Sequence, residues 1–115
     1  MFVIRHGNIP DGTPVFSLAS AETKVELAVV SVAGMFVPGC SSISVSVYFS
    51  DDIQHQLIEW IFSNSALRMQ ADTKDDVCNV RLTKVGAPYL TDNGRSADRA
   101  FDITLSLPYQ VSQEL

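Results

Sequence analysis

Between Leu27 and Ser50 the chain carries no Asp, Glu, Lys, Arg or His, and this block limits the folds open to it more than any other feature. A bilayer-spanning helix takes about 20 apolar residues, so length alone would permit a membrane segment. The interior of the block reads FVPGCSSISVS, however. Pro38-Gly39 followed by serines would break such a helix and leave backbone groups unpaired in lipid. The block therefore reads as two uncharged strands joined by a turn, the pattern of a sheet covered on both faces, and no membrane insertion is expected.

The flanking segments extend this reading. Thr23 to Ala33 places Val25, Leu27 and Val29 on one side and Ala28, Val30 and Val32 on the other, which predicts a strand half-exposed at its start and buried on both faces at its end. Ile43, Val45, Val47 and Phe49 alternate with Ser44, Ser46, Tyr48 and Ser50 in a clear period of 2. At Ser50-Asp51-Asp52 the period changes, because Ile53, Leu57, Trp60 and Ile61 form one helical stripe. Asp51 with Gln54 has the capping-box form, the acidic first turn suits the helix dipole, and Ser63-Asn64 reads as the stop. Ile58 and Phe62 widen the apolar face, so the helix is expected to lie on a sheet and to touch something else.

Residues 65–70 fit either a helical extension or a short strand. Val77–Val85 reads as a half-buried strand with Cys78, Val80 and Leu82 inward, and Arg99–Leu107 as another with Phe101, Ile103, Leu105 and Leu107 on one face, ended by Pro108. The stretch between them, 86–98, reads as a long connection with a tight turn at Asn93-Gly94. Phe2–Arg5 and Val15–Leu18 are weaker strands around the turn formers NIPDGTP. Five or six strands with one helix cannot be mostly parallel, since parallel pairs need crossovers. The expectation is a single domain over residues 1–115, mainly β with one α-helix (α+β). It takes the form of an antiparallel β-sandwich or partly open barrel, with the helix flanking it after the central strand.

The 115 residues have a net charge of −5 and only 18% charged residues, a low density that points to surface covered by a partner. The charge is uneven. Asp51, Asp52, Glu59, Asp72, Asp75 and Asp76 face only Arg68 and Lys74, so −4 of the total lies in residues 51–76. Sequence-specific duplex binding, which leans on Lys and Arg, is a poor match to this balance. The opening MFVIRHGNIPDG lacks the apolar core of a signal peptide, so export by the general route is not expected.

Motifs for chemistry are sparse. Cys40 and Cys78 have no C-x-x-C spacing and read as small half-buried hydrophobes of a reducing compartment, although sequence leaves open whether they pair. His6 and His55 complete neither a zinc pattern nor a nucleophile elbow. The adjacent carboxylates Asp51/Asp52 and Asp75/Asp76 do not converge as two catalytic carboxylates must. The DTKDD stretch lacks the Gly and distal Glu of a calcium loop, and there is no phosphate-binding glycine motif. No enzyme, metal or cofactor is expected. Met35, Phe36 and Val37, before Pro38-Gly39, form an apolar triplet awkward to leave in water, and Tyr89 adds an aromatic to the 86–98 stretch.

The order of pieces resembles a known family. FVPG (36–39), ISVSVYF (43–49), SDD (50–52), IQHQLIEWIF (53–62) and FDITLSLPYQ (101–110) together look like the tail-tube proteins of bacteriophages, whose fold is shared by the ring protein of type VI secretion systems. The resemblance covers about two thirds of the chain. It implies a β-sandwich or barrel with a flanking helix, assembling into a hexameric ring. Rings would stack into a tube whose acidic lumen lets DNA slide without specific binding. Sheath or baseplate proteins would be further partners, and the place would be the virion tail, assembled in the host cytoplasm. The chain is short for that family, which leaves tube, tail-terminator and tail-tip roles open.

On this reading Met35, Phe36, Val37, Pro88, Tyr89 and Leu90 are candidate inter-subunit contacts, and Asp72, Asp75 and Asp76 are candidate lumen or inter-ring charges. The alternative is a small acidic binding or inhibitor module that uses residues 51–76 against a basic protein surface.

Overall fold

The computed structural model describes residues 1–7, 9–33, 42–71, 77–91 and 99–107. Eight strands and one helix follow in the order β1 (Phe2–Arg5), β2 (Val15–Ala19), β3 (Thr23–Ala33), β4 (Ser42–Tyr48), α1 (Asp51–Ser63), β5 (Leu67–Ala71), β6 (Val77–Val85), β7 (Tyr89–Leu90) and β8 (Arg99–Ser106). Of residues 65–70, ambiguous by pattern, 67–70 enter the strand β5, and the 86–98 connection contains the short β7.

The mainly β, one-helix class holds, and closure goes further than the partly open barrel expected. Strands pair in the cycle β3-β2-β5-β6-β8-β4 and back to β3, every pair antiparallel. The length of β3 makes this possible. Its first half pairs with β2 from Lys24 to Ala28, and after a register shift between Val29 and Ser31 its second half pairs with β4. The shift bends the strand, as bulges do, so that one chain segment spans two parts of the ring. At the β2–β3 turn the Ser20 hydroxyl accepts from the Thr23 N–H at 3.1 Å, tightening the hairpin. β1 stands outside the ring, parallel to β3, with Phe2 opposite Thr23 and Arg5 opposite Glu26. Arg5 Nε lies 3.2 Å from the Glu26 carboxylate.

Alternation along each strand fills the bore. Phe16, Leu18, Val25, Leu27, Val45, Val47, Leu67, Val80, Leu82, Phe101, Ile103 and Leu105 form one cluster with Ile53, Leu57 and Trp60 of the helix. A barrel this narrow is filled by its own side chains. The helix packs on β6 and β1. Its first turn is held where the Gln54 side-chain amide donates to Gly86 O at 3.3 Å, and its end where Arg81 donates to Asn64 O at 2.7 Å and to Asn64 Oδ1 at 3.0 Å. Asn64 stops it in the left-handed region at φ 52°, a conformation Asn tolerates.

Two local expectations are corrected. The burial of β3 runs the other way: Val25, Leu27 and Ala28 are buried, whereas Val30 and Val32 are exposed, Val32 at 56%. Apolar composition does not fix burial by itself: Val32 pairs with the buried Val45 of β4 and still stands in solvent. The capping box does not form either. Ser50 is the N-cap, without a side-chain cap bond, and Gln54 spends its amide on Gly86. Among the described residues no helix is long and apolar enough to cross a membrane.

Candidate interaction surfaces

Of the residues singled out by sequence as subunit contacts, Pro88, Tyr89 and Leu90 are described and all are exposed, Leu90 at 67%. Met35, Phe36 and Val37, and the acidic Asp72, Asp75 and Asp76, lie outside the described residues.

The Pro88–Leu90 tip is built by a break in a long strand. Gly86 still follows the β6–β8 ladder, its N–H donating to Asp102 O at 2.8 Å. A side chain there would place Cβ 3.3 Å from that same oxygen, tighter than ordinary packing, which accounts for the glycine. Pro88, lacking an N–H, interrupts the ladder. Tyr89 rejoins β8 opposite Ala100 and Leu90 opposite Arg99, with one more residue on this side than on β8 between Val85–Ile103 and Tyr89–Ala100.

A side-chain clasp holds the tip to the barrel wall. The Tyr89 hydroxyl lies 2.7 Å from Asp102 Oδ1 and 3.1 Å from Ser46 Oγ, and Ser46 Oγ lies 2.5 Å from the same carboxylate oxygen. Each hydroxyl has one proton, and a carboxylate is the stronger acceptor, so both donate to Asp102. The Ser46 hydrogen bond, then that from Tyr89, with the charge of Lys84 added, hold the Asp102 carboxyl below the usual carboxylate range against the opposing pull of partial burial. A carboxyl lowered in the folded state stabilises the fold fully above its unfolded value near ~4, and that contribution is lost as pH falls through the folded value. Urea midpoints taken at stepped pH below about 5 are therefore expected to fall more steeply for the wild type than for Asp102→Asn. Parallel slopes would show the clasp to be uncoupled from folding.

A second surface lies between β1 and the helix. Phe2, Val3, Ile4, Arg5, Asp52, His55 and Gln56 line an open groove of about 490 Å³. Phe2 is 67% exposed there. His55 falls on the polar side of the helix, as its spacing predicts, and lines this groove, whereas His6 stacks at a tilt against Tyr48 with ring centroids 6.3 Å apart. On the same helix Trp60 is core, while Phe62 projects outward. Among the described residues no group of His, Cys, Asp and Glu is placed to hold a metal ion, and Cys78 is a half-buried free thiol.

Sequence reasoning missed the clasp and the β1 groove. Ser46 and Asp102 were legible as outward positions on alternating strands, but their being opposite one another follows from the β4–β8 register, which no local pattern encodes. No family model and no curated protein matches this sequence.

Proposed function

We propose that the protein is a structural, self-assembling component of a bacteriophage tail, of the tail-tube kind, whose subunits associate through the Pro88–Leu90 tip. The observation that carries this reading is Leu90: a large apolar side chain, 67% exposed, at the end of a strand clasped to the barrel by Tyr89 and Asp102. An exposed apolar group on a held backbone loses little freedom when a partner covers it, which favours association. The mainly β fold with one helix is compatible with the resemblance of the 36–62 and 101–110 segments to tail-tube proteins. Hexameric rings, stacking and an acidic path for DNA come from that resemblance and are part of the proposal.

Light scattering and negative-stain electron microscopy at roughly 100 µM test it. The wild type is expected to form rings or stacked rings. Leu90→Glu is expected to weaken assembly at least about tenfold, since it asks a charge to enter a desolvated contact, while leaving the melting temperature in place. A wild type that stays monomeric and yields no rings overturns the reading.

A further inference from the structure

Among the described residues β1 pairs with β3 alone, so one of its edges is open. Its register fixes which backbone groups remain there. The Phe2 N–H donates to Glu22 O at 3.0 Å. In a strand, one residue turns both its N–H and its C=O toward a given neighbour and the next turns both away. Phe2 and Ile4 are thus engaged with β3, and Val3 and Arg5 direct their backbone groups to the open edge. Such groups select one kind of occupant, another extended strand.

We infer that this occupant is β1 of a second copy, running antiparallel about a two-fold axis at Ile4. Outward residues separated by one position are self-complementary. With Ile4 facing its own copy, Val3 exchanges both hydrogen bonds with Arg5 of the partner subunit, and Arg5 does so with the partner's Val3. This register engages both outward residues without calling on any position beyond the strand, and it sets each Arg5 against a valine instead of another arginine. The groove beside the strand carries Arg5 and Asp52 together, so a two-fold copy meets basic with acidic charge. Phe2, exposed in the groove, gains cover at the same contact. The surface is distinct from the Pro88–Leu90 tip, and the inference goes beyond the tail reading without needing it. A strand this short covers less than the roughly 1,200–2,000 Å² of a stable interface. Association is therefore weak, showing at roughly 100 µM.

Val3→Pro tests the edge. It removes an N–H that β3 does not use, and proline is accepted where a strand's N–H faces outward. Ile4→Cys tests the register, in a chain also carrying Cys40→Ser and Cys78→Ser. Directly opposed residues of a non-hydrogen-bonded antiparallel pair have Cα atoms about 4.5 Å apart, within disulfide reach. Val3→Cys in the same background is the control, because Val3 lies diagonal to its own copy.

By sedimentation equilibrium at roughly 100 µM, the wild type is expected to show self-association that Val3→Pro reduces by about tenfold or more, with the melting temperature unchanged. Oxidation is expected to link Ile4→Cys and not Val3→Cys. A Val3→Pro variant that associates as the wild type does overturns the inference, as does equal cross-linking of the two cysteine variants. Should Ile4→Cys fail to fold, the Val3→Pro comparison decides alone. The two readings fail separately: rings in the wild type together with unchanged association in Val3→Pro remove the β1 contact and leave the tail proposal, and an Ile4-linked dimer without rings does the reverse.

Discussion

Phe101→Ala is expected to lower the free energy of unfolding by about 3–5 kcal/mol, read as a shift of the urea midpoint at unchanged slope. Phe101 has no exposed surface, and it sits on β8, the strand that joins β4 to β6 and so completes the ring. Its ring meets Phe49 edge-on with centroids 5.6 Å apart, an arrangement that adds to the burial. The guanidinium of Arg99 covers the other partner, 4.7 Å from the Phe49 centroid. Truncation leaves a void that the barrel cannot collapse to fill, because the surrounding strands are hydrogen-bonded on both sides. Domains of this size hold about 5–15 kcal/mol in all, so the variant stands near the edge of folding. A loss under about 1 kcal/mol would mean that the site is not packed as described.

The second large effect is a contrast within one helix. Trp60→Ala is expected to cost about 3–5 kcal/mol and Phe62→Ala less than about 0.5 kcal/mol, although both remove an aromatic ring and stand two residues apart. Trp60 is 5% exposed within the cluster that the helix shares with the barrel, and Phe62 is 86% exposed. Thermal melts of the two variants check this directly. Equal losses would mean that α1 is rotated about its axis relative to the structure. If Phe62→Ala leaves stability alone but lowers self-association, the outward face of α1 joins the contact surfaces.

These two sites also show what could be read from the sequence. Phe101 and Trp60 were legible as core because each lies on a regular apolar repeat, of period 2 and about 3.6 respectively. Phe62 was legible only as an apolar residue beside that stripe, and the direction it faces depends on where the barrel ends. The strands β4, β6 and β8 were plain for the same reason as Phe101. The burial of β3 was misread because its uncharged end, Ala28 to Ala33, looks more buried than its start with Lys24 and Glu26, whereas Val30 and Val32 are exposed. The capping box failed because Gln54 found a long-range acceptor in Gly86. Of the candidate contacts, Pro88–Leu90 are exposed, and the clasp beneath them joins residues separated by 43 and 13 positions. Partnerships at such separations belong to topology and leave no local signature.

The place of β8 in the ring has a consequence for how the chain comes to be folded. β4 and β6 each offer an edge to β8, the last described strand of the chain. Until Arg99–Ser106 has left the ribosome, both edges stay unpaired and the layer of Phe101, Ile103 and Leu105 is missing from the interior. Everything before it is therefore a partial sheet with apolar inner faces open to water, the kind of species prone to pair with a neighbour. The barrel closes only with β8 and by contacts distant in sequence, which predisposes it to slow folding.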